Sequence, residues 1–276
     1  MPGETTTDAL AAAVRLRQAG IGVILTHLGE NLSTVAAADE ELRHYLQVLD
    51  EVHASDVDAH VSVKLTQLGL DLDMELCVRH LRQLCDHAAS RGTFVWIDME
   101  SSQYVDRTLD VLQRVRLSSR DVGVALQAYL HRTAADLEAL SPGGAAIRLV
   151  KGAYLESPEI SYARKADVDE NYYRLACRAL ESRNGALVHV ATHDATLIGR
   201  LNAFIKDRSI LPSAYEYAML YGVQERLQHQ LVAAGQRVRV LISYGEHWFP
   251  WYMRRLAERP ANVWFAARNL WPGRGR

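Results

Sequence analysis

The chain has 276 residues, 49% of them apolar and 23% charged, with a formal net charge of −2, which is globular composition with room for one large core. There is no basic tract to suit nucleic acid, and no apolar run reaches the roughly eighteen residues of a membrane span. Cys77, Cys85 and Cys177 are too scattered for a disulfide framework and, with no signal-peptide pattern at the N-terminus, suit a reducing, cytoplasmic setting.

In chain order, residues 5–18 open with a Thr/Asp capping pattern and continue with helical periodicity until Gly20. A short apolar strand follows at 22–25, ending at Thr26-His27, and then a helix over 34–52. A strand over 61–65 alternates and leads to a helix over 73–90, a strand over 94–98 and a helix over 103–116. Next come strand 122–127, helix 134–140, strand 146–150, helix 168–182, and strand 186–191 with Thr192-His193-Asp194 at its end. Strand 215–220 with helix 223–234, and strand 238–242 with helix 247–258, close the chain. The alternation is counted as eight strand-helix pairs, the helix after strand 186–191 being the one without bounds, and no linker-like shift in composition interrupts it. It predicts an α/β fold, a (β/α)8 TIM barrel, as one domain over residues 1–276. An open doubly wound sheet is the alternative, but no GxGxxG follows the first strand.

Barrel enzymes work at the C-terminal ends of their strands. In order, those ends carry His27, Lys64, Asp98, Gln127, Arg148 with Lys151, Thr192-His193-Asp194, Glu216 with Leu220, and Tyr244-Gly245. The stretch Ala146 to Tyr154 stands out, because Arg148 interrupts an apolar β-branched run that ends in Lys151-Gly152. A guanidinium inside a strand needs an anionic or strongly accepting partner. Either a ligand in the pocket or a core carboxylate would serve, and the residues alone leave both open. In the last helix, Trp251, Arg254, Arg255 and Glu258 share a face, with Trp248, Phe249 and Tyr252 close by. Two adjacent arginines beside aromatics suit a small carboxylate ligand, while a solvated basic turn is the plainer alternative. His189 and His193 are poorly spaced to chelate on a strand, so no metal site is expected, and no GxSxG nucleophile motif is present. Chemistry at this site is therefore expected to come from an organic cofactor.

Several segments fall in one order over nearly the whole chain: Val63-Lys64-Leu65, Ile97-Asp98-Met99-Glu100, Gln127-Ala128-Tyr129, Arg148-Leu149-Val150-Lys151-Gly152-Ala153-Tyr154, Lys165-Ala166-Asp167-Val168-Asp169, Ala191-Thr192-His193-Asp194, Met219-Leu220-Tyr221-Gly222 and the run from Met253 to Asn262. In these the sequence resembles the FAD-dependent proline dehydrogenases. The resemblance implies a barrel whose final helix covers the active site. It also implies oxidation of L-proline to Δ1-pyrroline-5-carboxylate, with hydride transfer to FAD, as the first step of proline catabolism. On the same ground, Arg254 and Arg255 would hold the substrate carboxylate, Lys64 and Asp98 would form an ion pair beside it, and Tyr154, Leu220 and Trp251 would wall the ring. The flavin would be held by Gln127, Arg148, Val150, Lys151, Gly152, Ala153, Lys165, Thr192, His193, Asp194 and Glu258. A quinone-type electron acceptor and peripheral contact with the inner membrane face are compatible with this family.

The sequence also departs from the family. Trp251 stands where a Tyr is usual, Leu241 and Ser243 where Tyr and Pro are expected, and Ala218 in place of a Gln. The helical segment that usually precedes Gly3-Glu4-Thr5 is expected to be missing. The bulk of Trp251 predicts a tighter pocket and low activity on hydroxyproline. The alternative function is a flavin- or imino-acid-binding barrel with lost or altered activity, including one acting on hydroxyproline or another cyclic amine. A flavin-free lyase using Lys64 as a Schiff-base amine is a third reading.

Overall fold

Strands that are apolar on both faces pair in parallel when helices can cover the outer face. In the computed structural model, which describes residues 1–29, 32–182 and 186–246, eight such strands close into a barrel in sequence order, the (β/α)8 architecture expected. They are β1 (Gly22–His27), β2 (Ala59–Val63), β3 (Val95–Ile97), β4 (Val122–Gln127), β5 (Ala146–Val150), β6 (Val188–Ala191), β7 (Tyr215–Leu220) and β8 (Val238–Tyr244). Closure is made by β1, whose Val23 stands opposite Ala59 of β2 on one side and Val240 of β8 on the other.

Around the barrel run α1 (Thr6–Gln18), α2 (Val35–Ala54), α3 (Met74–Ser90), α4 (Val105–Arg116), α5 (Thr133–Leu140), α6 (Lys165–Glu181), α7 (Ala195–Asp207) and α8 (Glu225–Ala233). Short polar side chains start several of them. The Thr5 hydroxyl accepts from the Asp8 amide at 3.1 Å while the Asp8 carboxylate accepts from the Thr5 amide at 3.2 Å, and Thr34, Asp73 and Asp194 cap α2, α3 and α7. Such a cap is worth about 1 kcal/mol. Each helix buries the stripe its periodicity dictates: in α3, Cys77, Leu81, Leu84 and Ala88 recur at steps of three and four and are fully buried.

Sequence periodicity placed most of these elements to within a few residues, with two exceptions. Helix α7 belongs to the eight pairs but has no bounds in the sequence reading, because the strand-end reading of Thr192-His193-Asp194 hides Asp194 as the cap of the apolar stripe Leu197, Ile198, Leu201 and Ile205. The helix expected over 247–258 lies outside the described residues.

Two separate cores result. The larger packs the outward-facing strand residues, Val23, Leu25, Val61 and Val63 among them, against the helices. A smaller one inside the barrel joins Ile24, Trp96 and Ala146. Gly123 makes room for it: a Cβ there would lie 2.6 Å from the Trp96 ring and 2.7 Å from the Ala146 carbonyl oxygen, so the indole fills the space that a β4 side chain would take.

Beneath the indole, toward the N-terminal ends of the strands, lies an ionic layer. Glu216 of β7 accepts from Arg239 Nε of β8 at 2.6 Å, and His189 Nε2 of β6 lies 3.0 Å from the same carboxylate. Arg237 also donates to Glu216, and Arg239 reaches Asp58 at 2.9 Å. Glu216, expected near a strand end, is instead the second residue of β7 and belongs to this layer. Removing one partner of such a group costs about 3–5 kcal/mol because the others stay buried and uncompensated. Burial alone would raise the Glu216 carboxyl, but His189 and Arg239 more than offset it and hold it well below the usual range. Burial pushes the His189 imidazole down to about 4, against an opposing pull from Glu216.

The direction of the pH dependence follows. Between 6.5, the ordinary histidine value, and about 4, an unfolded imidazole takes up a proton that folded His189 refuses. The unfolded state therefore binds more protons and stability falls as pH falls through that window, with Glu216 adding loss at lower pH. Thermal unfolding followed from about pH 7 to about pH 4.5 is expected to show a falling midpoint in the parent. His189→Gln should begin lower and fall less over the same interval, whereas a flat parent profile would rule out a buried neutral imidazole.

Candidate active site

Above the indole the barrel opens into a cavity of about 600 Å³, a size typical of small-molecule sites. The described candidates all line it: Lys64, Asp98, Gln127, Arg148, Val150, Lys151, Gly152, Ala153, Tyr154, Lys165, Thr192, His193, Asp194 and Leu220. Trp251, Arg254, Arg255 and Glu258 lie outside the described residues. Three other residues at strand ends turn away. His27 Nδ1 lies 3.0 Å from Glu41 of α2, Tyr244 meets His44 Nε2 at 2.8 Å, and Gly245 packs against His27.

At the cavity floor, Arg148 crosses the barrel from β5. Its Nη2 donates to Ser62 Oγ of β2 at 2.9 Å and to Asp98 Oδ1, while Ser62 Oγ donates to the same carboxylate oxygen at 2.8 Å. The guanidinium carbon sits 5.4 Å from the centre of the Trp96 ring, within cation–π range. Burial lowers the Arg148 pKa from its ordinary value and the Asp98 carboxylate opposes that. Arg148 thus does pair with a core carboxylate, one of its two alternatives. The other stays in play, because Nη1 is buried with no hydrogen-bond partner among the described residues.

This arrangement corrects one expectation. Asp98 pairs with Arg148, not with Lys64, and Lys64 is buried at 7% exposure with no ion pair among the described residues. The planar fork of arginine engages carboxylate and hydroxyl together, which a single ammonium does less well.

Gln127 donates from Nε2 to the Glu100 carbonyl at 2.7 Å, which leaves its buried Oε1 without a partner among the described residues. Beyond Val150 the strand turns at Gly152, where φ is +121° and a Cβ would overlap the Tyr129 ring. Lys151 then meets Asp169 at 2.5 Å and Asp194 at 3.2 Å, and Lys165 joins both carboxylates. Burial would raise the Asp194 carboxyl, but Lys151 and the first-turn amide of Leu197 in α7 hold it below its ordinary value. Thr192 Oγ1 accepts from the Asp194 amide at 3.2 Å. His193 Nε2 accepts from the Leu220 amide at 2.8 Å, which places the proton of a neutral ring on Nδ1.

Sequence reasoning missed Ser62 and Thr26. Period-two alternation would have found both, since Ser62 stands two residues before Lys64 and Thr26 two after inward-facing Ile24. Thr26 of β1 and Ser243 of β8 line the cavity with buried hydroxyls that have no partner among the described residues. Such a group costs about 1–3 kcal/mol until something meets it. Leu241 and Ala218, noted as departures, line the same cavity. Among the described residues no cluster of His, Cys, Asp and Glu could hold a metal ion.

The chain matches the family described as proline dehydrogenase over residues 9–268. It is 35% identical over 268 residues to proline dehydrogenase 2 of Bacillus subtilis (strain 168), covering 97% of this chain and 88% of that one. To the proline dehydrogenase of Deinococcus radiodurans it is 36% identical over 276 residues, covering 98% and 88%. Among solved structures, proline utilization A from Bdellovibrio bacteriovorus inactivated by N-propargylglycine shares the fold with a TM-score of 0.87 at 24% identity. That match covers 94% of this chain and 32% of the other, so the chain spans about a third of that longer protein. With a family match over almost its whole length and relatives above 30% identity along theirs, the chain belongs to the proline dehydrogenase family.

Proposed function

We propose that this protein oxidises L-proline to Δ1-pyrroline-5-carboxylate, the first step of proline catabolism, with non-covalently bound FAD as its cofactor. The observation that carries the reading is the pair of unsatisfied polar atoms at one cavity wall, Arg148 Nη1 and Gln127 Oε1, in a chain of this family. One is a charged donor and the other an acceptor. A flavin ring edge, where carbonyl oxygens alternate with an N–H, answers both.

The rest of the wall fits such a cofactor. Gly152 lets the Tyr129 ring pack against the turn that carries Lys151 and Ala153 to the cavity. Lys151, Lys165 and the N-terminal turn of α7 form a cationic edge suited to a pyrophosphate. Asp169 and Asp194 neutralise part of it, but each ammonium has three donors and keeps capacity for a phosphate oxygen. When bound, FAD supplies the two-electron acceptor for the hydride. Arg148 then holds a fixed positive charge where negative charge develops. Lys64, which has no carboxylate partner among the described residues, would favour the neutral form of the proline amine, the form that can lose hydride.

Arg254 and Arg255 are proposed to clamp the substrate carboxylate, with Glu258 toward the flavin and Trp251 over the ring, on the strength of their spacing and the resemblance. For the electron acceptor we propose a quinone. Among the described residues no helix is long and apolar enough to cross a membrane, which suits peripheral contact with a bilayer-dissolved acceptor.

Two measurements test this reading. Purified protein is expected to show a flavin absorption spectrum that bleaches on anaerobic addition of proline, and Arg148→Ala or Lys151→Ala should retain less flavin or reduce it more slowly. Full flavin content and parental reactivity in both variants would sink the cofactor assignment. For the clamp, each charge-assisted bond is worth about 1.5–3 kcal/mol, so Arg254→Lys and Arg255→Lys should each weaken proline binding roughly ten- to a hundredfold. Proline titrations giving parental affinity in both would return these arginines to a solvated turn.

A further inference from the structure

We infer that Trp96 is a positioning residue for the proposed reaction: the face of its indole fixes the Arg148 guanidinium at the cavity floor, and through that cation it sets the reduction potential of the bound flavin. The inference rests on the proposed function and deepens it. Trp96 is fully buried and is not among the residues that line the cavity. Whatever it does to a ligand it does through a neighbour. Arg148, whose guanidinium carbon lies 5.4 Å from the ring centre, is the charged neighbour that does line the cavity.

Filling the barrel interior is the plainer role of a large buried side chain, and three observations go beyond it. Trp96 stands opposite Gly123 in the β3–β4 ladder, and Gly123 opposite Ala146 in the β4–β5 ladder, so the indole crosses the bare β4 position toward β5, the strand of Arg148. Its Nε1–H donates to His60 Nδ1 of β2 at 3.1 Å, which fixes the rotation of the ring. Burial first, and then the charge of Arg239, hold the His60 imidazole well below its ordinary value, so at neutral pH Nδ1 stays an acceptor. His189, which stands opposite Arg148 in the β5–β6 ladder, brings its ring to 4.1 Å from the indole.

These contacts decide where the cation can go. Ser62 and Asp98 hold Nη2 at the edge of the guanidinium and the indole supports its face, while Nη1 has no partner among the described residues. Beneath the indole lies the layer of Glu216, whose carboxylate attracts a guanidinium. With the ring in place, Arg148 gains a desolvated cation–π contact and has no open path toward that anion. With the ring removed, the space admits water or the guanidinium itself, and Nη1 leaves the height at which it meets the cavity. A fixed cation favours the reduced flavin, on which negative charge develops. A cation free to sink favours it less, so the potential falls.

The test is the two-electron reduction potential of the flavin in the holoenzyme, measured against reference dyes for the parent, Trp96→Phe, Trp96→Leu and His60→Leu. Trp96→Leu should lose about three- to tenfold of the preference for reduced over oxidised flavin, a fall of roughly 15–30 mV for a two-electron couple. Trp96→Phe keeps an aromatic face under the guanidinium and should fall less. His60→Leu leaves the indole N–H unpaired and should shift the potential the same way with residue 96 unchanged. Should Trp96→Leu fail to fold, the other two variants carry the comparison. A mere filler would lower the thermal midpoint in the variants and leave the potential at its parental value, which overturns the inference while the proposed function stands. Equal shifts in Trp96→Phe and Trp96→Leu would overturn it too, because volume and not the aromatic face would then be at work. A potential that falls in the expected order in a flavoprotein that proline does not reduce would uphold the positioning role and bring down the proposed substrate. Protein that binds no FAD would bring down both.

Discussion

Everything at the cavity floor depends on a buried cation. Arg148 lies inside a β-strand at 3% exposure, where an unpaired guanidinium would cost more than most single interactions can return. Three neighbours make the position tenable: the Asp98 carboxylate, the Ser62 hydroxyl and the face of Trp96. Ser62 lies on β2, Trp96 on β3 and Asp98 just past the end of β3, so the arginine of β5 ties strands two and three places away round the barrel into one polar unit. Among the described residues Lys64 is thereby left without a carboxylate, and one guanidinium nitrogen without a partner.

Charge is distributed in two layers with different tasks. The lower one, Glu216 with Arg237, Arg239 and His189, turns on its carboxylate, which meets three partners while the arginines lean on Asp58 and solvent, and His189 Nδ1 is its one nitrogen left without a partner among the described residues. It ties β6, β7 and β8 together and touches no part of the cavity. The upper layer is open, with donors and acceptors left unmet among the described residues. Buried polar groups that are satisfied hold a fold together, and those that are not mark where a ligand belongs.

The barrel was legible in the sequence because each element carries its own period: apolar runs of strand length, three-and-four spacing in helices, and Thr or Asp where helices begin. Strand-end position was enough to gather Lys64, Asp98, Gln127, Arg148 and the Thr192 to Asp194 turn at one cavity. What sequence could not give was pairing across the barrel. Arg148 and Ser62 are 86 positions apart, and Lys64 and Arg148 are both plausible partners for Asp98 until geometry chooses. His27 and Tyr244 look like site residues by position, yet each points outward because a one-residue step along a strand reverses the side chain. The same parity concealed Thr26, the inward neighbour of His27.

The indole of Trp96 lies in space that Gly123 vacates, against Ala146 on the next strand. These three positions therefore form one volume shared among adjacent strands β3, β4 and β5. A larger residue at 123 or 146 is tolerable only together with a smaller one at 96, and a smaller residue at 96 opens the cavity floor toward the ionic layer. Substitution here is a matter of epistasis: relatives should vary these sites jointly or hold them together. The depth of the cavity is an inherited unit that one change at a time cannot tune.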